Sequence, residues 1–73
     1  MRAYTVKMIW DDGYWHTRTE ADLGITLSSD SFDILVERVR KAAPEMLALN
    51  CGFFDEFELN FETIRKDVVR QSA

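Results

Sequence analysis

The sequence predicts an α+β fold, an antiparallel sheet of three to four strands with one long helix packed on one face, in the order β-β-β-α-β. Three observations carry this reading. Two β-prone runs flank an Asp-Gly turn near the N-terminus, an amphipathic stripe at helical spacing fills residues 32–49, and an alternating aromatic run follows at residues 57–62. With 73 residues the chain fits one domain, residues 1–73.

Residues 3–10 alternate, setting Tyr4, Val6, Met8 and Trp10 on one face of a first strand and Thr5, Lys7 and Ile9 on the other. A two-residue turn at Asp12-Gly13 pairs Trp10 with Trp15 and brings Trp15, Thr17 and Thr19 to the apolar face. A three-residue loop would carry His16 and Arg18 there instead, where unpaired polar groups are costly, so the shorter turn is preferred. After a connection through Ala21–Gly24, Ile25–Ser28 reads as a short third strand with Ile25 and Leu27 inward. Ser31 is placed to cap the following helix, and Asp33 meets the positive end of its dipole. Phe32, Leu35, Val36, Val39, Ala43, Met46 and Leu47 form the helix stripe, while Asp33, Glu37, Arg40, Lys41 and Glu45 lie off it. Pro44 removes one backbone hydrogen bond and crowds the carbonyl of Arg40, which predicts a kink, the stripe staying in phase across it. Asn50-Cys51-Gly52 supplies the stop. Residues 53–69 also fit a helical stripe, yet the clean alternation and aromatic content of 57–62 favour a fourth strand; residues 63–70 stay open between strand, helix and disorder.

Thirteen acids against nine Lys and Arg give a net charge of −4, which argues against a role built on neutralising nucleic-acid phosphates and suits a basic protein partner. The single Cys51 and single His16 exclude an intrachain disulfide and a structural zinc site. His16 sits mid-strand without a positioned partner, Cys51 reads as a small hydrophobe, and Asp11-Asp12-Gly13 reads as a hairpin turn and not as a calcium loop. No catalytic, cofactor-binding or metal-ligating set emerges, so a non-enzymatic role is expected, with no cofactor. No run is apolar and long enough for a membrane span or a signal peptide, and a cytoplasmic protein is the default expectation. Candidate contact residues are Ile34, which the helix stripe leaves on the opposite side, and Tyr14 and His16 on the uncovered sheet face with Thr5, Lys7, Ile9 and Arg18. The acidic pairs Asp11-Asp12 and Asp55-Glu56 come next. A chain this short buries only about 60% of the surface its unfolded form exposes, and with no disulfide or metal to brace it a homodimer is expected.

The order and spacing of four motifs resemble the HicB-like antitoxin superfamily, in particular a short bacterial branch of unknown function. They are Trp10-Asp11-Asp12-Gly13-Tyr14-Trp15 at the hairpin, Asp22-Leu23-Gly24-Ile25 at the turn, Asp30-Ser31-Phe32-Asp33-Ile34-Leu35 at the helix start and Pro44-Glu45-Met46-Leu47 late in the helix. Leu23 stands where the family turn usually carries Pro, and Ile34 where a second acid is common. The resemblance implies three antiparallel strands, a helix across one face and a final strand, a partial RNase H-like arrangement without its catalytic acids. It also implies binding of a small basic HicA-type RNA-cleaving toxin. Full-length relatives bind operator DNA through an added C-terminal module that the motifs matched here do not include, so DNA binding is not expected. An RNA-binding, small-ligand-binding or purely structural domain is the alternative.

Overall fold

The computed structural model describes residues 1–72. Its elements are β1 (Arg2–Asp11), β2 (Tyr14–Thr19), β3 (Ser28–Ser29), α1 (Phe32–Cys51) and β4 (Phe57–Ile64), and the strands form one sheet in the order β3-β2-β1-β4. The fold is α+β, with the predicted order of elements.

The hairpin follows from two backbone dihedrals. Asp12 and Gly13 both have positive φ, 50° and 84°, as a type I′ turn requires, and that turn matches the twist of the strands it joins. The resulting register pairs Asp11 with Tyr14, Trp10 with Trp15 and Met8 with Thr17. Both tryptophans therefore share the inner face, their rings 5.2 Å apart edge to face, and Phe32 at the start of α1 packs on Trp15 at 5.0 Å.

The third strand differs from expectation. Ladder pairing is confined to Ser28 and Ser29, while Ile25–Leu27 run beside β2 without being a strand. Threonine side chains take over the pairing: the Leu27 N–H donates to Thr17 Oγ1 at 2.9 Å, Thr17 Oγ1 donates to the Ile25 carbonyl at 3.1 Å, and the Ile25 N–H donates to Thr19 Oγ1 at 3.0 Å. With those bonds made, Ile25 still turns inward and is buried, as expected. Leu23, in the connection, is fully buried as well, and the loop closes over it through N–H bonds from Leu23 and Gly24 to the Glu20 carbonyl.

The helix begins where Ser31 Oγ accepts from the Ile34 N–H at 3.3 Å and ends at Gly52, whose N–H still donates to the Ala48 carbonyl and whose φ of 61° turns the chain so that the Phe53 N–H donates to the Leu47 carbonyl at 3.2 Å. It is continuous through Pro44, which lies on the exposed side. Leu35, Val39, Ala43 and Leu47 are buried against Tyr4, Val6, Met8 and Trp15 of the sheet, making the core.

The expectation of an antiparallel sheet holds for β1, β2 and β3, whereas β4 runs parallel to β1, with Tyr4 level with Leu59 and Ile9 with Ile64. Topology dictates this. Two antiparallel steps leave β3 pointing the same way as β1, and one intervening helix reverses the chain once before β4 restores that direction. A single helix about 10 Å across covers roughly two strands spaced about 4.8 Å apart, so the outermost strand lies partly beyond it. Phe57, Leu59 and Phe61 do face the helix side but are only half-buried.

Candidate partner-binding surface

The sheet face away from α1 is built by the pleat. Alternation sends Thr5, Lys7 and Ile9 of β1, Tyr14, His16 and Arg18 of β2 and Glu58, Asn60, Glu62 and Ile64 of β4 to that side. The register then sets two cross-strand rows: Glu62, Lys7 and Arg18 side by side, and Ile64, Ile9, His16 and Ser28 side by side. One row sets an acid beside two adjacent bases, and the other pairs two isoleucines with an imidazole and a serine hydroxyl. Ile9 and His16 are half-buried, while Tyr14, at the hairpin end, is 52% exposed. Asp11, paired with Tyr14, and Asp12 in the turn are exposed beside it. The structure thus brings Tyr14, His16, Asp11 and Asp12 together at one end of the uncovered face.

Ile34 does not join them. It is 57% exposed, as expected, but it sits on the outward side of α1, so the helix and the sheet both lie between it and His16. Asp55 and Glu56 are exposed in the connection from α1 to β4. Cys51 is exposed at the last turn of α1, its thiol donating to the Leu47 carbonyl at 3.3 Å, and does not pack as the small hydrophobe expected.

Two depressions flank β4. One, of about 290 Å³, is lined by Arg40 of α1 and by Phe57, Leu59 and Phe61. The other, of about 450 Å³, lies where β4 ends beside the hairpin and is lined by Ile9, Trp10, Asp11, Arg18, Ile64 and Lys66. At its rim the Arg65 guanidinium stacks 4.6 Å from the Trp10 ring centre and bonds Asp67 at 3.2 Å. At the opposite end of β1 the Arg2 guanidinium donates to the Tyr4 hydroxyl and lies 4.2 Å over the Phe53 ring; the hydroxyl raises its pKa above the ordinary guanidinium value, keeping it charged. The reading of the sequence reached the strand at 57–62 but not its open flank, where Phe57, Leu59 and Phe61 pack against the core on one side only. The width of one helix against four strands was the available signal.

Among the described residues, no three His, Cys, Asp or Glu side chains converge as a metal-holding group, and no helix is long and apolar enough to cross a membrane. Compared with known proteins, the chain matches no family model, no curated relative and no solved structure. What the geometry defines is therefore a class: a small α+β protein with one sheet face bare and an acidic, aromatic hairpin end.

Proposed function

We propose that this protein is a non-enzymatic protein-binding module similar to HicB-type antitoxins, which neutralises a small basic RNA-cleaving toxin. The observation that supports this most directly is the cluster of exposed Asp11, Asp12 and Tyr14 at one end of the uncovered sheet face. An aromatic anchor beside carboxylates is suited to a cationic surface: the charges steer association and the ring supplies contact area on docking. The four motifs at the hairpin, turn and helix support the family reading from the sequence side.

Co-expression with the product of a neighbouring reading frame for a small basic protein tests the proposal. Complex formation and relief of growth arrest are expected. Neither effect, with a folded chain and an expressed neighbour, overturns it. Because Tyr14 and Ile34 lie on opposite sides of the molecule, Tyr14→Ala and Ile34→Asp report on different surfaces. Tyr14→Ala is expected to weaken the complex by about 2 kcal/mol and Ile34→Asp to leave it unchanged. His16→Ala is expected to act in the same direction as Tyr14→Ala with a smaller effect, since its ring is half-buried.

A further inference from the structure

We propose that two copies of this chain pair antiparallel through β4 and the segment that follows it, about a twofold axis at Ile64, joining their sheets into one of eight strands. Four observations carry the inference. β4 is an edge strand, with β1 on one side and an open row of backbone groups on the other. Residues 65–72 form no helix, strand or turn, and because β4 runs parallel to β1 they are directed past the hairpin end. The long axis of the molecule, 58 Å, reflects that projection. Within this segment Val68 and Val69 are 101% and 86% exposed, two β-branched residues with high strand propensity and nothing packed on them.

The charge pattern selects the occupant. A twofold axis normal to the sheet keeps the helix-bearing faces together, so only registers centred on a residue are allowed. Centred on Ile64, the pairing sets Glu62 opposite Lys66 of the second copy and Glu58 opposite Arg70, each twice by symmetry, with Ile64 opposite itself. On the helix side it sets Leu59 opposite Val69, extending the apolar groove beside Arg40. Centring on Glu62 sets that carboxylate against itself. Centring on Thr63 or Arg65 sets Glu62 against Ile64 or Val68 and forms neither ion pair. Centring on Lys66 forms Glu62–Arg70 and Arg65–Asp67 but sets Lys66 against itself. The Ile64 register, acids before that residue and bases after it, is the one that pairs both Glu58 and Glu62 with bases and sets no like charges opposite each other.

Sedimentation of the full chain from micromolar to millimolar concentration, with circular dichroism as the fold control, tests this. The wild type is expected to dimerise. K66E/R70E changes only the projecting segment and is expected to weaken the dimer at least about tenfold by setting like charges opposite each other; Val68→Pro is expected to do the same by removing an N–H. E58K/E62K is likewise expected to be monomeric, and mixing it with K66E/R70E is expected to restore a dimer containing one of each. In a Cys51→Ser background, Ile64→Cys is expected to cross-link to itself on oxidation, since facing residues in an antiparallel pair are about 4.5–5.5 Å apart at Cα, within disulfide reach. Glu58→Cys, which faces Arg70, is expected not to. A wild type monomeric throughout overturns the proposal. So does a dimer indifferent to the charge reversals, or one in which Ile64→Cys fails to cross-link.

Discussion

Thr17 shows how one hydroxyl can substitute for a stretch of β-ladder. It is the buried polar residue of the core, 7% exposed, and it serves Leu27 as acceptor and Ile25 as donor. Replacing it with Val keeps the shape, leaves the part-buried Leu27 N–H without its acceptor and leaves the Ile25 carbonyl only the longer bond from Thr19 Oγ1, which costs about 1–3 kcal/mol. Urea unfolding of Thr17→Val should show a lower midpoint with an unchanged slope. Thr19→Val should cost less, because that side chain is only half-buried. At Gly13 the φ of 84° is unsuited to a side chain although the space is open, so Gly13→Ala is expected to cost about 1 kcal/mol by the same measurement. Thr17 and Thr19 were legible as inward-facing residues, since alternation and the Asp-Gly turn fix their side of the sheet. Their bonding was not, because it depends on a loop whose path the alternation does not encode.

At the level of elements, α1 and β4 differ in how fully each is covered. Leu35 is fully buried beneath the helix, and Leu35→Ala is expected to cost about 2–5 kcal/mol. Phe61 is larger but lies in the half-covered groove, so Phe61→Ala is expected to destabilise the monomer by less than Leu35→Ala does, measured as the difference in thermal midpoint. Reversal of that order would mean that β4 is packed more tightly than its exposure indicates. Ser31→Ala, losing the cap, is expected to cost about 1 kcal/mol. The hairpin, the helix with its cap and stop, and the existence of β4 were readable because each has a local signature: a turn dipeptide, a stripe with Ser31 and Gly52 at its ends, and aromatic alternation. The direction of β4 and the reduction of β3 to Ser28–Ser29 were not, since both follow from how the chain crosses the sheet. The candidate residues Tyr14, His16, Asp11 and Asp12 were readable as neighbours through the hairpin register, and the separation of Ile34 from them emerges only once the layers are stacked.

The molecule as a whole is long for its size. A compact chain of 73 residues has a radius of gyration of about 11 Å, against 14.7 Å here, and the excess lies along one axis. In dilute solution, limited trypsin digestion is expected to cut first after Arg65, Lys66 and Arg70 while the sheet and helix stay intact. Protection of those sites that rises with protein concentration is expected if the segment is covered by a second copy, and mass spectrometry of the fragments reads it directly. The two tryptophans give the same end of the molecule a further property. Both absorb and emit at the hairpin, close enough for their transitions to couple, and the Arg65 cation rests on the Trp10 ring where the C-terminal segment departs. Tryptophan emission, excited where tyrosine does not absorb, is thus a local gauge, blind to the Tyr4 and Phe53 end of the sheet and tuned to movement of the segment beyond Ile64.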